Sequence, residues 1–166
     1  ILGRLRHPNV VAYVGVWAGG DSLRLVMEEA AGRELFDVIL EKQAIEEPRA
    51  KPILRQLTGA LAYLHEHKIA HRDVKPENVC LSSVSRSEVK LIDFGSSMLE
   101  FDTTSSYVQS RWYRAPEVIL GIPWGRKIDM WSVGVILYIM VTGTAPFHGD
   151  SVRPLPVFLS LSLSLC

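Results

Sequence analysis

The sequence predicts an α+β fold, and three observations carry that expectation. Apolar, β-branched runs are concentrated before residue 30 and again between residues 79 and 91. Residues 47–67 and 126–142 carry the patterns of longer helices. Between those helices, residues 96–114 form a polar stretch with no sustained helical or strand period. Such a stretch in a compact domain is commonly functional.

The elements follow in order. "VVAYVGVWAGGDSLRLVMEEA" holds two β-branched runs separated by Gly19, Gly20, Asp21 and Ser22, which predicts a hairpin. "GRELFDVILEKQ" predicts a short helix. In "EEPRAKPILRQLTGALAYLHEHK" the residues Ile53, Leu54, Leu57, Leu61 and Leu64 recur at three- and four-residue intervals, so an amphipathic helix runs toward His67. Pro48 and Pro52 suit its first turns. "NVCLSS" and "VKLIDFG" predict short strands joined by a polar turn at residues 82–87. Residues 126–142 predict a buried core helix. Its apolar run is too short to cross roughly 30 Å of hydrocarbon, and the tail "VFLSLSLSLC" is shorter still.

Composition excludes some functions. The 166 residues are enough for one domain with a sizeable core. The chain is 48% hydrophobic and 22% charged with a formal net charge of zero, so wholesale binding to nucleic acid or an anionic membrane is not expected. Two cysteines, Cys80 and Cys166, make no disulfide framework and suit an intracellular location, cytoplasm or nucleus. The start at "ILGRLRHPN" has no initiator methionine and does not read as a signal peptide, so a partial chain is expected.

The chemistry-bearing residues lie in "IAHRDVKPENVCL" and in "DFG", twenty residues on. Phosphoryl transfer asks a protein for a carboxylate to orient the attacking hydroxyl and accept its proton, for oxygen ligands to Mg²⁺, and for a cation near the phosphate. Asp73 suits the base, Lys75 the cation, and Asn78 with Asp93 the metal ligands. The bland alternative is a surface loop of solvated charges beside a turn at residues 93–95. A zinc site from His65, His67, His71 and Cys80 is disfavoured, because residues two apart on a helix point to different sides.

With "HRDVKPEN", "DFG" and "APE" (residues 115–117) in this order, the chain resembles a eukaryotic protein kinase over roughly residues 1–150. The resemblance implies an incomplete protein-kinase-like fold. Residues 1–28 would be the C-terminal part of the small lobe, 29–150 the hinge and a partial helical large lobe, and 151–166 an atypical tail. It implies ATP and Mg²⁺ as cofactors and a protein substrate with a Ser or Thr acceptor, Tyr being possible in a dual-specificity enzyme. His71 would pack, and Arg72 would anchor the loop ahead of it. Phe94 would be a packing switch beside Asp93, and Asp129 in "DMWSVG" would brace the catalytic-loop backbone. "LRLVMEE" resembles the last small-lobe strand and hinge. Met27 would stand at the gatekeeper position, the backbone of Glu28 and Ala30 would face adenine, and Glu34 would lie near the ribose. Leu2, Tyr13, His71 and Phe94 would stack as a regulatory spine.

Lys75, two residues after Asp73, resembles the serine/threonine class, in which Ser110 would bond Lys75 and Asp73. "SSYVQSRWYRAPEVILG" is similar to the CMGC group, particularly the dual-specificity tyrosine-regulated and homeodomain-interacting kinases. That likeness makes Tyr107 a candidate phosphosite whose phosphate would draw Arg111, Arg114 or Arg72. "WSVGVILYIMVTGTAPFHG" looks more like the calcium/calmodulin-dependent group.

The family's Gly-rich loop and strand lysine do not occur ahead of the hinge, and its helix glutamate would precede Ile1. Nor does the family's arginine partner for Glu117 follow "TAPFHGD". The Ser-Leu tail is accordingly expected to be foreign to the domain, and the central helix to be left partly uncovered and the chain poorly soluble. A catalytically dead, kinase-like binding fragment is the alternative function.

Overall fold

The computed structural model describes residues 1–82, 88–99 and 107–147, so the tail and part of the polar turn at residues 82–87 lie outside the described residues. The architecture is α+β. A 3-10 turn and a hairpin open the chain, the longest helix lies between short strands, and a second long helix comes after them.

The hairpin is antiparallel, β1 (Tyr13–Gly19) on β2 (Ser22–Met27), with Gly19 opposite Ser22. Gly20 takes the left-handed φ of 57° that the tight turn requires. Arg24 lies 5.2 Å from the Trp17 ring centroid on the paired strand. Below the hairpin, residues 9–11 run beside the central sheet: the Val11 N–H donates to the Leu91 carbonyl at 3.0 Å, and the Leu91 N–H to that of Asn9 at 2.8 Å. The Asn9 amide donates to Gln56 Oε1 and to the Val89 carbonyl, both at 2.9 Å.

Strand β3 (Gly32–Glu34) leads into helix α1 (Leu35–Lys42), which buries Leu35, Val38 and Ile39. Helix α2 (Glu47–Glu66) buries Ala50, Ile53, Leu57, Ala60, Leu61 and Leu64, the face that the three- and four-residue spacing predicts. Pro48 sits in its first turn, but Pro52 lies inside the helix, where its missing N–H costs one backbone hydrogen bond. Strand β4 (Ile69–Ala70) follows, then a 3-10 turn at Pro76–Asn78, then β5 (Val79–Ser82) and β6 (Val89–Leu91). The sheet order is β3-β5-β6, and β4 pairs instead with β7 (Met98–Leu99). β3, β4 and β7 correct the sequence expectation. They are two or three residues long and arise from pairing with distant partners, so no local period announces them.

A 3-10 turn at Arg111–Tyr113 and the short helix α3 (Pro116–Ile119) precede α4 (Ile128–Thr142). α4 ends at Gly143, with φ 72°, where an added Cβ would stand 1.7 Å from the Gln43 carbonyl oxygen. Only glycine fits there. One face of α4 packs on α2, burying Ile136 and Met140 completely, while Met130, Leu137, Tyr138 and Val141 remain exposed. The core joins α1, α2, α4 and the β5–β6 strands, and Leu2 belongs to it with Tyr13 and Phe94 packed against it. Among the described residues, no helix is long and apolar enough to cross a membrane.

Candidate active site

The loop after β4 is held from below by a buried carboxylate. Asp129, fully buried on α4, accepts the His71 N–H at Oδ2 and the Arg72 N–H at Oδ1, each at 2.9 Å. His65 Nε2 donates to the same Oδ2 at 2.9 Å, while His67 turns away to bond the Tyr63 carbonyl, its ring tilted against that of Tyr63. Arg72 adopts φ 67°, a strained value for arginine, and two anchored amides offset that cost. Its Nε donates to the Ser96 carbonyl at 2.5 Å, and Nη1 lies 3.3 Å from Met98 Sδ.

The buried His71 ring meets Phe94 edge-on, with centroids 4.9 Å apart. Its Nε2 donates to the Ile92 carbonyl at 3.0 Å, which leaves Nδ1 to accept the Asp73 N–H at 3.3 Å. Burial pushes its pKa down, so the ring is neutral.

Three side chains converge on the Asp73 carboxylate. Ser110 Oγ donates to Oδ1 at 2.7 Å, Lys75 Nζ lies 3.0 Å from Oδ2, and Asn78 Nδ2 donates to Oδ2 at 3.2 Å and to the Asp73 carbonyl at 2.8 Å. Lys75 Nζ also donates to Ser110 Oγ at 3.2 Å. Partial burial raises the Asp73 pKa, but the hydrogen bonds from Ser110, Lys75 and Asn78 outweigh it and hold the group below its ordinary value. Asp93 stands close by in the chain path, because the neighbouring Ile92 N–H donates to the Asn78 carbonyl at 3.0 Å. Asp93 is exposed at φ 58°, with Oδ1 accepting the Gly95 N–H at 3.1 Å. Both amide hydrogens of Asn78 are spent on Asp73, so its oxygen is the atom left for a cation. That amide oxygen and the Asp93 carboxylate are hard donors of the kind Mg²⁺ takes, and the donor set fits that ion.

In the activation segment Tyr107 is exposed, and the Arg114 guanidinium lies 4.0 Å from its ring centroid. Hydrogen bonding and charge from Arg114 lower the phenol pKa, with a smaller contribution from Arg111. Arg114 is itself buried, donating from Nε to the Val108 carbonyl at 2.8 Å and from Nη2 to that of Gln109 at 2.7 Å. Arg111 is exposed in the 3-10 turn. Glu117, half-buried in α3, has no side-chain hydrogen bond or ion pair among the described residues.

On the hinge side, the Glu28 N–H donates to the Ala12 carbonyl at 2.9 Å. The Glu28 carboxylate accepts the Ala12 N–H at 2.9 Å and pairs with Lys90 at 2.6 Å, contacts that tie the hairpin to β6. Met27 closes β2 with its side chain exposed, Ala30 follows in the connection, and Glu34 ends β3 opposite Cys80.

Gln109 and Ser132 escaped the sequence reading. Both are buried, and the Gln109 amide donates to Ser132 Oγ at 2.8 Å. The one available signal was a serine inside an apolar helical run, which needs a partner when buried.

The protein kinase domain family matches residues 1–155. Curated relatives include myosin light chain kinase A of Dictyostelium discoideum, 40% identical over 161 residues covering 92% of this chain and 52% of that protein. The SNF1-related protein kinase catalytic subunit alpha KIN12 of Arabidopsis thaliana is 39% identical over 92% of this chain and 31% of its own length. A calcium/calmodulin-dependent protein kinase type 1 of Macrobrachium nipponense is 37% identical over 91% of this chain and 44% of its own length. The chain thus spans about half the length of these relatives or less. None of them is named as a dual-specificity tyrosine-regulated or homeodomain-interacting kinase. The calcium/calmodulin-dependent group, which residues 131–149 resemble, is named in the Macrobrachium nipponense relative.

Proposed function

We propose, from the premise that this chain belongs to the protein kinase domain family, that it supplies the catalytic loop and activation segment of an ATP-dependent serine/threonine kinase. The observation that carries the reading is the convergence of Lys75, Asn78 and Ser110 on the ionised Asp73 carboxylate. Residues 1–28 then form the end of the small lobe and residues 29–150 the hinge and part of the large lobe. The backbone at Glu28 and Ala30, beside Met27, takes adenine, and Glu34 lies toward the ribose.

In this mechanism Asp73 orients the acceptor hydroxyl of a protein substrate by accepting its hydrogen bond. The carboxylate takes the proton as the hydroxyl oxygen bonds to the γ-phosphorus. The bond to the bridging oxygen breaks, and ADP leaves with that electron pair. A depressed pKa keeps Asp73 charged and ready to accept throughout the neutral range. Lys75 adds positive charge beside the reacting oxygens. Asn78 and Asp93 would hold Mg²⁺, which supplies neutralisation of the phosphate charge when bound.

Two features refine the class. Lys75 in contact with both Asp73 and Ser110 favours Ser or Thr acceptors. Tyr107 under Arg114 favours a regulatory phosphotyrosine, whose added charge of about −1.5 to −2 would pair with Arg114 and Arg111. The sequence of the activation segment is read as CMGC-like, the relatives are named as myosin light chain, SNF1-related and calcium/calmodulin-dependent kinases, and an intracellular location belongs to the same proposal.

The test is transfer of labelled γ-phosphate from Mg-ATP to a serine peptide by the purified protein, wild type against Asp73→Asn. Wild-type transfer that falls by roughly 10²- to 10⁴-fold in the variant supports the assignment. Transfer equal in both, or absent from wild type, overturns it.

A further inference from the structure

We propose that Gln109 is a positioning residue: its buried side-chain amide clamps the activation segment to α4 and thereby holds the Ser110 hydroxyl on the Asp73 carboxylate. The catalytic consequence rests on the kinase reading, whereas the clamp itself does not.

Gln109 is 8% exposed and has φ 66°. Glutamine lacks the short polar side chain that lets Asn and Asp enter the left-handed region at low cost, so this conformation is strained unless neighbours impose it. The neighbours do so through every polar atom of the amide. Oε1 accepts the Ala115 N–H at 2.9 Å, and Nε2 donates to Ser132 Oγ at 2.8 Å and to the Ile128 carbonyl at 3.0 Å. Ser132 Oγ passes its own proton to the Tyr113 carbonyl at 2.8 Å. A satisfied buried network of this kind specifies one geometry, because each broken link leaves a polar atom without water.

Ser110 is the next residue, and its placement depends on the φ at 109. If that angle relaxed to the ordinary negative range, the following peptide would change direction and carry Ser110 Oγ away from Asp73 Oδ1, now 2.7 Å distant. Arg114 holds the Gln109 carbonyl at 2.7 Å but bonds nothing on its side chain. The amide is therefore the group that ties residue 109 to α4. The same helix end carries Asp129, which fixes the loop ahead of Asp73. Residues 128, 129 and 132 of α4 accordingly set both sides of the Ser110–Asp73 contact.

Two variants separate clamp from filler. Gln109→Met keeps length and removes every side-chain hydrogen bond, and Gln109→Gly removes the side chain while relieving the strain at φ. The readouts on the full chain are a crystal structure and the proton NMR signal of the Ser110 hydroxyl, which is slow to exchange while donated to Asp73. Both variants are expected to lose that signal and to place Ser110 Oγ beyond hydrogen-bond reach of Asp73. Retention of the contact in either overturns the proposal. If Gln109→Met does not fold, Ser132→Ala serves: faster hydroxyl exchange, by roughly tenfold for one lost bond of about 1.4 kcal/mol, supports the clamp, and unchanged exchange overturns it. With Mg-ATP and a serine peptide, kcat should fall roughly 100-fold as the serine is misplaced, with the KM for ATP unchanged. A wild-type chain that transfers no phosphate sinks the kinase reading instead, while the contact readouts still decide this one.

Discussion

The carboxylate of Asp129 accepts the backbone N–H of Arg72 at 2.9 Å across 57 positions of sequence, and Arg72 carries a left-handed φ of 67°. A fully buried acid thus serves as a template for a strained loop. Removing it leaves two buried N–H donors, those of His71 and Arg72, without an acceptor. At about 1–3 kcal/mol for each such group, Asp129→Ala should lower unfolding stability by roughly 2–6 kcal/mol. Denaturant titration of the two proteins checks this, and a loss under about 1 kcal/mol would contradict the bracing role.

Acid should loosen the same loop through His71. Its folded pKa lies below its ordinary value of 6.5, because burial penalises the charged ring. Between the two values the unfolded chain binds a proton that the folded chain does not. Stability is therefore fully present above pH 6.5 and falls as the pH drops below it, by up to about 1.4 kcal/mol per unit. His7, which is depressed by burial and by Lys90, adds a contribution of the same sign. Stability measured in steps from neutrality to mild acid should show this slope, and His71→Gln should flatten it.

Magnesium dependence should report on Asp93. With its exposed carboxylate and the Asn78 amide oxygen as the proposed ligands, chelation should abolish phosphoryl transfer and added Mg²⁺ should restore it. Asp93→Asn removes one charge from a two-ligand site, so its half-maximal Mg²⁺ requirement should rise at least about tenfold. An unchanged requirement would place the ion elsewhere.

The phenol of Tyr107 should titrate later once Arg114 is removed. Arg114 lowers that pKa by hydrogen bonding and charge, so Arg114→Ala should move the tyrosinate transition to higher pH in an ultraviolet titration. The same variant frees the Val108 and Gln109 carbonyls and should cost about 1–3 kcal/mol of stability. A Tyr107 titration that stays in place would show that the guanidinium does not hold the ring in solution.

Much of this was legible before any coordinates. The spacing of Ile53, Leu57, Leu61 and Leu64 marks the buried face of α2, because side chains three and four apart share one side of a helix. Gly19 to Ser22 mark the hairpin turn, and "HRDVKPEN" with "DFG" mark the acid, lysine and amide. Other features gave no local signal. Pro52 looks like a first-turn residue and lies within the helix.

By itself the sequence determined the chemistry on offer and the elements that carry it, since residue type and short-range period are local properties. Tertiary structure decided which polar groups are buried together: Asp129 with His71 and Arg72, Ser110 with Asp73, and Gln109 with Ser132. It also decided the strands β3, β4 and β7, which exist only as pairings with distant segments. The physical reason is the same in both cases. A buried hydrogen bond takes its energy from the exclusion of water, and the fold alone determines which distant residues lose water together.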